Sequence, residues 1–94
     1  MSYSLEFIVL AKKEWDSLDN SISKQFKKKL IERLKEPKVE SARLSGMDDC
    51  YKIKLRSAGY RLVYQVQDKE LTVLVVSVGK RERNAVYKQA IKRI

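Results

Sequence analysis

The chain has no histidine, one cysteine, one proline and three glycines among its 94 residues. Without histidine there is no imidazole general base, no Ser-His pair and no His-ligated metal, and a single cysteine makes no thiolate cluster. Cys50 cannot form an internal disulfide; it is expected to be a buried thiol at the start of a strand, as suits a cytoplasmic protein. The three glycines build no phosphate-cradling loop ahead of a helix. No apolar run reaches the length of a membrane span, since the longest, Leu71 to Val78, includes Thr72 and Ser77 and has the length of a strand. The opening MSYSLEFIVL has neither a basic lead nor a cleavage site, so no signal peptide is expected. A single domain, 1–94, is expected from the length.

Acidic residues are scarce where basic ones are dense. The net charge is +9, but residues 1–49 hold ten Lys/Arg against nine Asp/Glu, while residues 50–94 hold eleven against three. An excess this localised points to a polyanionic partner, nucleic acid before anionic membrane.

The basic half begins with the alternating stretch CYKIKLRSAGYRLVYQV, Cys50 to Val66. At the two-residue period of a strand, Tyr51, Ile53 and Leu55 face one way and Lys52, Lys54 and Arg56 the other. After Ser57-Ala58-Gly59 the alternation resumes, with Tyr60, Leu62, Tyr64 and Val66 opposite Arg61, Val63 and Gln65. The expected hairpin has a two-residue loop at Ala58-Gly59, setting Leu55 against Leu62, Ile53 against Tyr64 and Tyr51 against Val66. Lys52, Lys54, Arg56 and Arg61 then share the face away from the core, where their mutual repulsion favours an anion.

Around this hairpin, Tyr3 to Phe7 reads as a first strand. From about Val9, a helix carries Ala11, Trp15 and Leu18 at helical spacing and ends near Asp19-Asn20. A second helix starts from Asn20 or Ser21 as cap, carries Ile22, Phe26, Leu30 and Leu34 every four residues, and is closed by Pro37. Its outer run Lys27-Lys28-Lys29 is a solvated face that could also touch a nucleic-acid backbone. Residues 38–49 read as a loop. Leu71 to Val78, apolar on both faces, reads as a covered central strand that breaks at Gly79. Val86, Ala90 and Ile94 mark a short last helix. The order β-α-α-β-β-β-α makes an α+β domain, a small, largely antiparallel sheet with the N-terminal helical hairpin on one face.

The chemistry left to such a chain is Lys, Arg and Tyr. These suit RNA cleavage by its own 2'-hydroxyl, which needs a proton removed from the 2'-oxygen, charge stabilised at a phosphorane-like centre and a proton delivered to the departing 5'-oxygen. Arg clamps two phosphate oxygens at once, and Lys acts as a point charge or proton donor. Tyr orients a hydroxyl, stacks on a base, or acts as a base where cations lower its pKa.

The hairpin, the segment VVSVGKRERNAVY and the helical hairpin before them closely resemble the RelE family of bacterial toxin-antitoxin modules, over nearly the whole chain. The resemblance implies a fold like that of a small microbial ribonuclease. It also implies a metal-independent endoribonuclease, needing no cofactor, that enters the A site of the 70S ribosome and cuts messenger RNA within the codon. Carried over position by position, the family's active-site residues are Lys52, Lys54, Arg61, Arg81 and Tyr87. Arg61 and Arg81 would clamp the phosphate and Lys54 would donate the proton. Lys52 or Tyr87 would serve the 2'-oxygen, and the sequence does not choose between them. Arg56, Lys80, Arg83 and Lys88 are assigned to contacts with ribosomal RNA, with plain solvated charge as their alternative.

The resemblance further implies a RelB-type antitoxin, through which alone operator DNA is bound; no membrane association is expected, since none of the helices pairs a broad apolar face with a strongly basic one. The last helix, held by few apolar residues, is expected to be displaceable by the antitoxin. A ParE-type toxin acting on DNA gyrase and a non-catalytic RNA-binding module are the competing readings.

Overall fold

The computed structural model describes residues 2–82 and 84–94. The chain runs β1 (Ser4–Phe7), α1 (Val9–Asp16), α2 (Asn20–Lys35), a short 3-10 turn at Glu40–Ala42, β2 (Cys50–Leu55), β3 (Tyr60–Gln67), β4 (Thr72–Lys80) and α3 (Ala85–Arg93). The strands form one sheet in the order β1-β4-β3-β2. The pairs β2–β3 and β3–β4 are antiparallel, and β1 runs parallel to β4 at the far edge. The expected α+β order is therefore found, with one parallel pair in it. β4 is central, as its two-sided apolar run predicted, but it passes straight through Gly79 to Lys80 instead of breaking there.

The sheet separates two apolar layers. On one face, Ala11, Ile22, Phe26 and Leu30 of α1 and α2 pack on Tyr51, Ile53, Leu55, Leu62, Tyr64, Val66, Val73, Val75 and Val78. The indole of Trp15 links the elements, its ring centroid 5.2 Å from Phe7 and 6.2 Å from Phe26. On the other face, α3 places Val86 and Ala90 over Val63 and Val76, beside Met47 and Cys50. Burial, reinforced by Asp49 and Asp48, pushes the Cys50 thiol up to about 11, so it is a packing group and not a nucleophile.

Helix positions follow from exposure. α1 starts at Val9, as expected, and ends at Asp16, earlier than its periodicity suggested. Asp19 is the N-cap of α2, one residue before the expected cap, its carbonyl accepting from the N–H groups of Ile22 and Ser23 at 3.0 Å. Ile94, read as the end of the last helix's stripe, is 47% exposed, leaving α3 an apolar footprint of Val86 and Ala90.

The hairpin register differs from expectation by two residues. Leu55 pairs with Tyr60, Lys54 with Arg61, Ile53 with Leu62 and Tyr51 with Tyr64. Arg56 to Gly59 form a four-residue connection, closed by a bond from the Gly59 N–H to the Leu55 carbonyl at 2.8 Å, with Gly59 at φ 72°. A shift of two keeps every side chain on its predicted face, so hydrophobic patterning could reject the three-residue loop but could not choose between loops of two and four.

A bulge lies between the pairs Val63–Ser77 and Tyr64–Val75, leaving Val76 as the extra residue. Val76 and Ser77 both face α3, because Val76 packs against that helix and the Ser77 hydroxyl bonds the Gln89 side chain at 3.3 Å. Alternation then continues out of phase. Val78 returns to the α1/α2 layer, and Gly79 joins Arg61 on the α3 face.

Phe26 is fully buried between α1, α2 and the sheet. Phe26→Ala is expected to lower unfolding stability by about 3–5 kcal/mol, measured by urea denaturation.

Candidate active site

Pairing across three strands sets Lys54 of β2 beside Arg61 of β3, and Arg61 beside Gly79 of β4. The row therefore presents two cations and a gap. A Cβ at Gly79 would lie 3.3 Å from the Val86 Cγ2, so the missing side chain is what lets α3 close over the sheet here. Past the end of β4, the Arg81 N–H donates to the Gly59 carbonyl at 2.7 Å, extending the ladder by one residue. Asn84, at φ 59°, then turns the chain into α3.

These elements enclose a cavity of about 330 Å³ whose wall includes Lys54, Arg61, Lys80, Arg81 and Tyr87. Arg61 is 8% exposed, and its Nη1 donates to the Tyr60 carbonyl at 3.2 Å. Among the described residues no carboxylate lies within ion-pairing distance of it. A guanidinium held this way, with donors to spare at a cavity wall, is a receptor for an anion. The Tyr87 hydroxyl is buried and has no hydrogen-bond partner among the described residues. An unpaired hydroxyl so placed is destabilising by about 1–3 kcal/mol.

Lys52 lies outside this cavity. It lines an adjoining groove of about 280 Å³ with Lys54, Arg56, Lys29 and Arg33. Lys54 lines both, so the two spaces meet at its side chain. The ammonium of Lys52 is the main cause holding Lys54 below its ordinary value of 10.5; partial burial, Arg61 and Arg56 act in the same direction.

Of the sequence-nominated set, Lys54, Arg61, Arg81 and Tyr87 thus share one cavity and Lys52 borders it. Lys80, nominated only for RNA contact, stands in the cavity wall. Arg56 leaves the sheet face and sits in the hairpin connection, because the loop is four residues and not two, yet it still lines the groove. Lys88 is exposed on α3 and lines neither space. Arg83 lies outside the described residues. Tyr60 and Tyr64 are structural, as read. Tyr60 packs at the core margin, while the Tyr64 hydroxyl donates to the Pro37 carbonyl at 2.6 Å and accepts from Arg33 Nη1 at 2.8 Å.

A family model described as ParE toxin of type II toxin-antitoxin system, parDE, matches residues 5–85. The chain is 57% identical over 94 residues to the mRNA interferase toxin RelE of Escherichia coli (strain K12), covering 100% of this chain and 99% of the relative. The chain belongs to the RelE family of type II toxins. Among solved structures, an arginine double mutant of E. coli toxin RelE in the free state matches with a TM-score of 0.93 at 55% identity, covering 100% of this chain and 99% of that one. The toxin of the intact E. coli RelBE toxin-antitoxin complex matches with a TM-score of 0.84 at 56% identity, covering 87% of this chain and 100% of that one.

Sequence reading missed Glu82 and Asn84 in the cavity wall and Arg33 beside the groove, while Lys29, which belongs to the run read as a possible backbone contact, lines that groove with it. Arg33 had a signal in its spacing from Lys29. Spaced four apart, they flank the buried stripe of Phe26 and Leu30 on α2, and Arg33 turns inward to donate from Nη1 to the Lys52 carbonyl at 3.1 Å.

Removing the Lys52 charge should move the Lys54 titration upward toward 10.5, because the leading cause of its depression is gone. NMR titration of the Lys54 side chain in wild type and Lys52→Ala measures this directly; an unmoved midpoint would show that Lys52 is not the cause.

Proposed function

We propose that the protein is an mRNA interferase that enters the A site of the bacterial ribosome and cuts messenger RNA by attack of a ribose 2'-hydroxyl on the adjacent phosphate. The 2'-oxygen bonds to phosphorus as the bond to the 5'-oxygen breaks, leaving a 2',3'-cyclic phosphate and a 5'-hydroxyl. Arg61 and Arg81 hold the non-bridging oxygens, whose charge grows in the transition state. Lys54 donates the proton to the departing 5'-oxygen; its depressed pKa makes it a stronger acid than an ordinary lysine. Tyr87 or Lys52 serves the 2'-oxygen.

The observation that supports this reading most is the convergence on one cavity of Lys54, a nearly buried Arg61, Arg81 and a tyrosine whose buried hydroxyl lacks a partner. Arg56, Lys80, Arg83 and Lys88 are assigned to contacts with ribosomal RNA. Lys29 and Arg33 add to the positive surface along the groove. The protein acts in the cytoplasm and is neutralised there by a RelB-type antitoxin, through which the complex binds operator DNA as corepressor. An acidic or helical antitoxin segment suits a surface so rich in cations.

The ParE description of the matching family model raises a second reading, inhibition of DNA gyrase. Poisoning gyrase does not call for phosphate-cleaving groups, and the convergent set here weighs against it.

Primer extension on a defined messenger in a purified translation system, with the A site empty, separates the readings. A cut inside the A-site codon, absent without ribosomes and slowed about 100-fold by Arg81→Ala, is the expected result. Tight binding without a cut would leave an RNA-binding module. Neither cutting nor binding, with inhibited supercoiling by gyrase, would establish the ParE-type activity.

A further inference from the structure

Strand β1 ends at Phe7, opposite Val75, so the β1-facing side of β4 has no strand partner from Val76 onward. Two side chains from opposite ends of the chain take over there. Glu14 of α1 accepts from the Val78 N–H at 3.1 Å, and Arg93 at the end of α3 donates to the Val76 carbonyl at 2.8 Å. The two also pair with each other through a two-pronged ion pair, Nη1 to Oε1 at 2.9 Å and Nη2 to Oε2 at 3.0 Å. Their side chains retain only 14% (Arg93) and 25% (Glu14) exposure, so the pair is far less screened than the protein's exposed ion pairs.

What this pair holds is α3. That helix buries only Val86 and Ala90, while Ile91 and Ile94 stay exposed, and its one other polar tie to the sheet among the described side chains is the bond between Ser77 and Gln89. Val78 to Arg81, by contrast, are secured on their other side by pairing with β3 and by the Arg81–Gly59 bond. Loss of the ion pair therefore frees the helix more than the strand. Tyr87 stands six residues before Arg93, about 9 Å along the helix axis, with its side chain in the cavity wall.

We propose that Glu14 and Arg93 are positioning residues of the active site, joining the first helix to the last so that Tyr87 is held over the cavity beside Arg61 and Lys54. The proposal rests on the catalytic part given to Tyr87 above. It assigns a function in the reaction to a carboxylate that touches neither substrate nor reacting atoms.

The test is a double-mutant cycle in the ribosome-programmed cleavage assay, with full-length toxin and with thermal melts to confirm that each variant is folded. Glu14→Gln, which keeps the shape and removes the charge, should lower kcat about 10-fold with KM changed by less than about two-fold. Arg93→Lys keeps the charge but cannot form the two-pronged contact, so an intermediate loss is expected. In a Tyr87→Ala background, Glu14→Gln should cost less than about two-fold, because the group it positions is already gone. Hydrogen exchange in Glu14→Gln should accelerate at α3 amides and not in β3. If Glu14→Gln is not folded at the assay temperature, Arg93→Lys carries the cycle. Full activity of the single variants, or an equal loss in both backgrounds, would overturn the proposal while leaving the site intact. A Tyr87→Ala variant cutting at the wild-type rate would instead remove Tyr87 from the catalytic set, and the positioning role with it.

Discussion

The site depends on a change of phase in β4. Strand alternation carried unbroken from Val73 and Val75 would turn Gly79 toward α1 and α2, away from Arg61. The extra residue Val76 reverses this, so Gly79 faces α3 in line with Lys54 and Arg61. Just past the bulge β4 also outruns β1, which ends at Phe7, so that edge of β4 lacks a ladder partner, and buried backbone groups of that kind must be satisfied. Here Glu14 and Arg93 supply the partners at Val78 and Val76. The stretch of β4 that carries the phase change is thus held at its open edge by the same ion pair that ties down the helix above it, which couples backbone geometry to site geometry.

Against that frame of apolar layers stands an electrostatic tension. Lys52, Lys54, Arg56 and Arg61 crowd one end of the sheet, and the depressed pKa of Lys54 is the direct trace of their repulsion. Arg61 is the most committed of them, nearly buried and facing a cavity. Burying a guanidinium without a carboxylate is unfavourable in the free protein, and binding a phosphate or an acidic segment offsets it. On the proposed reading the same imbalance would serve substrate and antitoxin alike, since each brings the negative charge that the free protein lacks.

Much of this was legible in the sequence, for identifiable reasons. The two-residue period of Tyr51 to Val66 put Lys52, Lys54 and Arg61 on one face because one side of that sheet must be buried, and the four-residue repeat from Ile22 to Leu30 marked the helix that buries it. Loop length was not legible, since shifting the register by two residues leaves the face of every side chain unchanged. Nor was the bulge, because Leu71 to Val78 is apolar on both sides and carries no alternation from which a phase change could be read. For that reason the arrival of Arg81 and Tyr87 at the cation row rested on family resemblance. The Glu14–Arg93 pair was hidden for a different reason: 79 residues separate its members, and each reads alone as an ordinary charge on a helix.

The weakest chemical element in the proposed reaction is the base. With reference values near 10, only roughly one lysine or tyrosine in a thousand is deprotonated at neutral pH. The crowding that lowers the Lys54 pKa strengthens it as an acid, so the shift serves departure of the 5'-oxygen better than activation of the 2'-oxygen. A site built this way gains little by waiting for its own base to ionise; it gains most if the 2'-oxygen is already in line with the phosphorus when the phosphate meets Arg61 and Arg81. Fixing that geometry is worth several powers of ten in rate, and a flexible single strand in solution does not supply it. A messenger held by the decoding ribosome does, so the proposed dependence on the ribosome fits the poverty of the catalytic inventory itself. A fold without histidine can remain harmless to free RNA and still cut where another machine has set the substrate in place.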